Sequence, residues 1–244
     1  MDFCWFILGN GRKGYLERTI ASWESNLIEK PKYKIIFDDS GDREYIAWLR
    51  ETFGDNFEIV PVGKKQMGQS SAIRFIFDHI SKLDVEYVLE VEEDWMLFRP
   101  LSITEITMAL DSNPEMVQMR IPRTIWHDSD DTVDLNFGSL LMYFLSIPET
   151  TSKLVNDKWF EWRGEWYFWS HNPNVFKKSI CKILYNSSNS DNHEMMFGKQ
   201  LLENPNATVG WWATNPYDAY ITHIGIRDDQ LLNQMPRHTK WEKE

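Results

Sequence analysis

The sequence predicts an α/β protein with a mostly parallel central sheet and helices on both of its faces. Two observations predict it. Short apolar runs alternate with segments of helical period over the first 91 residues, and each run ends in a glycine or an acidic turn. Strands spaced by helices of this length are joined by crossover connections, which place the strands side by side and parallel.

The elements follow in order. Phe3–Leu8 is a continuous apolar run closed by Gly9, the pattern of a strand buried on both faces. Lys13–Leu27 carries Tyr15, Leu16, Ile20, Trp23 and Leu27 at helical spacing. Tyr33–Phe37 is rich in strand formers and runs into Asp38-Asp39-Ser40-Gly41, a turn sequence. A helix over Arg43–Phe53, a strand over Phe57–Val62 and a helix over Gln69–Ile80 precede the strand Tyr87–Val91. Beyond it Ile103–Leu110 reads as a helix and Met116–Ile121 as a strand. His127–Asp134 reads as an acidic loop, Asn174–Ile183 and His193–Leu202 as helices, and Tyr220–Ile224 as a short strand. No internal repeat or low-complexity linker divides the 244 residues, so a single domain over 1–244 is expected.

Composition narrows the function. A formal net charge of −11 argues against unaided binding to a nucleic-acid backbone, which needs a basic surface. Cys4 and Cys181 make neither a disulfide framework nor a metal knuckle. The apolar N-terminal run is too short for a secretory signal, and no stretch approaches the roughly 20 apolar residues of a membrane span. A cytoplasmic protein without a membrane span is therefore expected. The 12 tryptophans, several between Trp159 and Trp169 and two at Trp211–Trp212, suggest aromatic walls to a cleft as well as core packing.

Three segments carry chemistry. Glu90-Val91-Glu92-Glu93-Asp94-Trp95 releases three consecutive acids at the end of the predicted fourth strand. Ligands of open α/β sheets bind at that edge. Adjacent carboxylates repel unless a cation offsets them, and oxygen ligands on a turn suit Mg2+ or Mn2+; a solvated acidic turn is the plain alternative. Asp38–Asp39 follows the second strand, where an acid accepts hydrogen bonds from a ribose or base, or serves only the turn and a helix N-cap. Gly9-Asn10-Gly11-Arg12-Lys13-Gly14 fits a dinucleotide-binding GxGxxG with an acid about 25 positions beyond. That pattern points instead to an NAD-linked Rossmann oxidoreductase, but leaves Glu92–Asp94 without a role.

The order of the segments FILGNGR, IIFDDSG, the helix opening Gly68-Gln69-Ser70-Ser71-Ala72, VLEVEEDW, SHNPNVFKK, HEMMFGKQL and ITHIG resembles small GT-A glycosyltransferases of the family 2-like kind, including short ones encoded by tailed phages. The resemblance implies one GT-A (Rossmann-like) domain, with a nucleotide-sugar-binding half over 1–100 and an acceptor-binding half over 101–244. It implies transfer of a sugar from a nucleotide-sugar, a UDP-sugar first among donors, to a hydroxyl acceptor. Gly9, Asn10, Arg12, Asp38, Asp39, Lys65, Gly68, Ser71, Glu92 and Glu93 would border the donor, with Asp39 ahead of Asp38 as nucleoside contact. Glu92 and Asp94 would stand as the D-x-D pair, with Asp94 the direct ligand of Mn2+ or Mg2+ and His223 a third. Glu92 departs from that motif, since its longer side chain is able to reach a ribose or water instead of the ion. Glu194, 100 residues beyond Asp94, matches the segment that supplies the catalytic base in inverting members. It also reads as an acid stabilised at a helix N-terminus. The acceptor is open between a modified DNA base, a protein and a glycan. A phage source would place the enzyme in the host cytoplasm. A nucleotidyltransferase, which releases pyrophosphate, and a non-catalytic sugar- or nucleotide-binding module remain the other classes.

Overall fold

The structure is a computed structural model that describes residues 1–124, 151–164, 168–185, 193–215 and 218–225. The acidic loop expected over His127–Asp134 lies outside the described residues.

β1 (Phe3–Gly9) is the strand from which the fold is built. All seven of its residues are buried, because both faces of the sheet are covered there. Side chains alternate across a strand, so Cys4, Phe6 and Leu8 enter one core while Phe3, Trp5 and Ile7 enter the other. β2 (Tyr33–Asp38) and β4 (Tyr87–Glu92) pair with β1 on its two sides, both parallel to it, and β3 (Glu58–Pro61) pairs parallel with β2.

The connecting helices fall on opposite faces as their apolar stripes dictate. α1 (Lys13–Asn26), α2 (Arg43–Phe53) and α4 (Ile103–Ser112) pack on the Trp5 side, through Leu16, Ile20 and Trp23, Tyr45 and Leu49, and Ile103, Ile106 and Leu110. α3 (Gln69–Ser81) packs on the Phe6 side through Ala72, Ile73, Ile76, Phe77 and Ile80. It is joined there by α5 (Ser179–Tyr185) and α6 (His193–Leu202), through Ile180, Cys181, Phe197 and Leu201. Each such aliphatic or aromatic side chain stabilises the fold by about 1.5–3 kcal/mol on full burial. Trp23 adds a directional contact: its indole Nε1 donates to the Trp95 carbonyl at 2.8 Å, which ties α1 to the strand beyond the acidic turn.

The second half extends the same sheet. β6 (Met116–Arg120), β7 (Thr151–Val155), β8 (Trp159–Arg163), β9 (Asn174–Lys177) and β10 (Thr208–Trp211) complete, among the described residues, nine strands in the order β3-β2-β1-β4-β9-β6-β10-β8-β7. A separate antiparallel pair joins β5 (Trp95–Leu97) to β11 (Ile221–His223).

Two expectations are corrected. Asn174–Ile183 is not one helix: its first four residues form β9, antiparallel to both β4 and β6, and only Ser179–Tyr185 is helical. The slot between β4 and β6 offers Val175 and Phe176 complete burial and ladder hydrogen bonds, and that tertiary context overrides a helical spacing. The described tryptophans expected at cleft walls are core residues, and Trp166 lies outside the described residues. Trp159, Trp162, Trp169, Trp211 and Trp212 are all buried.

Candidate functional site

β1 pairs with β2 on one side and β4 on the other, so the chain reverses its direction of travel across the sheet between β1 and β4. Ligands of open α/β sheets bind at such a point, at the carboxyl ends of the strands. The register places Gly9 opposite Asp38 and Leu8 opposite Glu92. The Gly9–Arg12 loop, the Asp38–Asp39 turn and the Glu92–Asp94 turn, far apart in sequence, thus share one edge of the sheet.

The acidic turn straddles the sheet. Along β4, Glu90 and Glu92 lie on the same face as Val88, which packs in the core with α3 and α6. Glu92 takes a hydrogen bond from Gln69 Nε2 at 2.8 Å, which joins the first residue of α3 to the turn. Burial, reinforced by the negative charges of Asp94 and Glu194, pushes the Glu92 carboxyl up to about 8.

Glu93 and Asp94 turn toward α1. Thr19 Oγ1 donates to the Glu93 carbonyl at 2.7 Å, and the Arg12 guanidinium bridges both carboxylates, with Nε 2.6 Å from Glu93 Oε1 and Nη2 2.8 Å from Asp94 Oδ2. His223 Nε2 lies 3.0 Å from the same Asp94 oxygen, delivered there by the pairing of His223 with Trp95 across β11 and β5. Burial alone would raise the Asp94 carboxyl, but His223 and Arg12 outweigh it and hold the group below its ordinary value. The other Asp94 oxygen, Oδ1, is buried and has no hydrogen-bond partner. Gly225 closes over this corner. A Cβ there would overlap the Asp94 carboxylate, and Tyr15 Oη holds the Gly225 carbonyl at 3.0 Å.

The second-strand acids are engaged locally. Asp38 is fully buried, with its oxygens on the Ser40 amide and hydroxyl, and burial pushes its carboxyl up to about 6. Asp39 accepts from the Met67 and Gly68 amides at 2.8 and 2.9 Å, so it fixes the backbone at the entrance to α3. Gly41, at φ +65°, lies directly on the Lys65 backbone, where any side chain would overlap Lys65 Cα. Lys65 itself is exposed, Ser71 is half-buried, and Asn10 accepts from Gln66 Nε2 at 3.1 Å.

The Gly9–Gly14 loop does not have the character of a dinucleotide site. A Cβ on Gly9 would lie 3.4 Å from Glu93 Oε2, so a buried carboxylate stands where a pyrophosphate would need donors alone.

On the α3 and α6 side, Glu194 lies in the first turn of α6 and accepts from the His171 amide at 2.7 Å. The His171 ring is buried, with Nδ1 2.7 Å from Glu90 Oε1, and Asn174 Nδ2 donates to Glu90 Oε2 at 3.2 Å. Burial would lower the His171 imidazolium, yet the paired Glu90 and the nearby Glu194 and Glu92 raise it to about 9.

The sequence reading missed the pairing of Glu90 with His171, and it missed Arg74. This arginine is half-buried on α3, and its Nε and Nη2 are buried without hydrogen-bond partners. It stands one turn before Phe77, whose ring is 6.5 Å from that of His171, and so on the helix face that borders the Glu194 side. The signal in the sequence was a lone cation within the apolar period of QSSAIRFIF. Two further arginines lie against tryptophan rings. Arg120 lies between the rings of Trp162 and Trp211, with centroid distances of 5.6 and 5.2 Å, and Arg123 lies over Trp95.

Among the described residues no three His, Cys, Asp or Glu side chains are grouped to hold a metal ion by themselves. A divalent cation that keeps waters and substrate oxygens needs fewer protein ligands. The carboxylates present fit that role: Glu92 is half-buried at the end of β4, and Asp94 has an orphaned buried oxygen.

A mixed α/β sheet whose parallel first half carries acids at its switch point is the frame of the site, and the comparisons with known proteins agree on the fold. No protein-family description and no curated protein matches the sequence. Among solved structures, residues 1–349 of S. aureus TarS, a glycosyltransferase, superpose with a TM-score of 0.56 at 11% identity, over 98% of this chain and 67% of that one. The same protein in complex with UDP gives 0.53 at 13% identity, over 91% and 60%. The chain thus shares the fold of these TarS structures and spans about two thirds or less of the TarS chains it matches. No described helix is long and apolar enough to cross a membrane.

Proposed function

We propose that the protein is a glycosyltransferase that moves a sugar from a nucleotide-sugar, a UDP-sugar first among donors, to a hydroxyl acceptor. The observation that carries the reading is the acidic turn at the β1/β4 switch point: Glu92 at the end of β4 and Asp94 with a buried oxygen left over. The shared fold with TarS, one of whose structures contains UDP, supports it.

Asp94 and Glu92 would hold Mn2+ or Mg2+ together with donor phosphate oxygens, and His223, 3.0 Å from Asp94 Oδ2, would join them by releasing that oxygen. When bound, the cation stabilises the charge of the departing diphosphate. Arg74, with two unsatisfied donors, is suited to the same anion from the α3 side. Asp39 fixes the Met67–Gly68 backbone that would border the nucleoside. Glu194 takes the proton of the acceptor hydroxyl as its oxygen bonds to the anomeric carbon, and the bond from that carbon to the diphosphate oxygen breaks. The nucleoside diphosphate leaves. This is the inverting course, and a base so placed contributes on the order of 10²–10⁴-fold. The acceptor is a glycan, a protein or a modified DNA base, with the net charge of −11 weighing against DNA.

The test is a thermal-shift screen of nucleotide-sugars with and without Mn2+, followed by turnover of the stabilising donor. A nucleotide that raises Tm only with Mn2+, and loses both that effect and turnover in Asp94→Ala, is expected. Stabilisation by NAD(H) in EDTA, pyrophosphate release, or full turnover by Asp94→Ala would overturn the reading.

A further inference from the structure

Glu90 sits in the middle of β4, two positions before the acidic turn, yet it has no part in that turn. It is buried, and both its oxygens are engaged, Oε1 by His171 Nδ1 at 2.7 Å and Oε2 by Asn174 Nδ2 at 3.2 Å. The same Asn174 amide donates to the carbonyls of Ser170 at 3.1 Å and Asn172 at 2.9 Å. From the other side Gln118 grips Ser170 twice, donating to its carbonyl and accepting from its amide, and Gln118 is itself held by Arg120 Nε at 2.9 Å. Residues 170–174 are therefore fastened by side chains of β4, β6 and β9, although the segment between Ser170 and Asn174 forms no regular element.

This assembly meets α6 through the His171 amide, which donates to Glu194 Oε1 at 2.7 Å. A buried ion pair is a poor device for stability alone, because apolar residues of equal volume serve as well. What it supplies is a fixed geometry. We propose that Glu90 and His171 are positioning residues that set the carboxylate of Glu194 against the acidic turn. The inference rests on the reading of Glu194 as the base, and it accounts for a fourth acid that neither donor nor cation requires. Strand β4 then carries two functions on alternate residues of one face: Glu92 faces the donor and Glu90, one repeat earlier, aligns the acceptor-activating group.

The experiment follows the His171 amide by 1H–15N NMR in the full chain, beside turnover of the stabilising donor. Glu194→Gln identifies the hydrogen bond by an upfield shift of that amide proton. Glu90→Ala and Asn174→Ala are expected to give the same upfield shift and to lower transfer kcat by about tenfold or more, with donor KM within about twofold. Glu90→Gln, which still accepts from the imidazole, is expected to restore both the resonance and most of kcat. An unmoved His171 amide in Asn174→Ala, or a loss of donor binding equal to the loss of kcat, would overturn the proposal. Should Glu90→Ala fail to fold, Asn174→Ala and Glu90→Gln decide it. If the wild-type protein turns over no nucleotide-sugar, the proposed reaction fails, while the amide shifts still report whether Glu90 sets Glu194.

Discussion

Arg12 and Asp94 form an ion pair of 2.8 Å at the point where β1 and β4 part, and the same guanidinium binds the buried Glu93 at 2.6 Å. A side chain of the protein thus already supplies positive charge at the place where a donor cation is proposed to bind. Arg12→Ala leaves Glu93 buried without its partner. Breaking a fully buried pair costs about 3–5 kcal/mol; the 31% exposure of Arg12 reduces this to about 2–3 kcal/mol. Urea unfolding measures it. Mn2+ is expected to raise Tm more in Arg12→Ala than in the wild-type protein, and a stability change below about 0.5 kcal/mol would show the bridge to be idle.

Gly225 is predicted to be intolerant of any side chain. Its missing Cβ is what lets the chain close on Asp94. Gly225→Ala forces the carboxylate away from Arg12 and His223, with a stability loss of about 1–3 kcal/mol. Donor turnover should fall with it. Retention of wild-type Tm and wild-type rate together would mean that the carboxylate moves freely.

Asp39→Ala removes the acceptor of two backbone amides. Each unsatisfied group costs about 1–3 kcal/mol if it stays buried, and less if water reaches it. Hydrogen exchange at Met67 and Gly68 should accelerate by at least about tenfold while β1 amides are unchanged. Protection that persists at both amides would assign Asp39 a different role.

Stability should decline as pH rises from neutral to alkaline. His171 holds its proton more tightly in the folded chain, with its value raised to about 9, above its unfolded value of about 6.5. Its contribution is therefore complete below about 6.5 and is lost as pH climbs through about 9, a difference on the order of 3 kcal/mol. Glu92, raised to about 8, has the same sign: the folded state binds its proton where the unfolded chain has released it. Denaturant unfolding at pH 6 and pH 9.5 separates the two. Glu90→Gln should shrink the decline through His171, and Glu92→Gln should remove its own share. A slope identical in all three proteins would refute both assignments.

The amino-terminal half was legible because its signals are local. Phe3–Gly9, Tyr33–Asp38 and Tyr87–Glu92 are apolar runs closed by turn residues, and the intervening helices carry complete apolar stripes. The acids of the fourth strand could be placed at the sheet edge for the same reason. What was not legible depends on distant partners. Val175, Phe176, Ile180 and Ile183 are spaced for a helix, and only the slot between β4 and β6 makes the first two a strand. The short strands β7, β8 and β10 likewise take their form from neighbours. His171 and Glu90 stand 81 positions apart, so no spacing rule links them, and Arg74 was hidden among the core residues of its helix.

The late arrival of β9 has a consequence for synthesis. Glu90 and Asn174 are 84 residues apart. At roughly 5–20 residues per second the nascent chain exposes one side of β4 for about 4–17 s before its neighbour leaves the ribosome. During that interval an apolar strand with open N–H and C=O groups offers itself to other chains. The embedded Glu90 would then lack His171 and keep that ribbon charged, as a gatekeeper against aggregation until the antiparallel partner inserts.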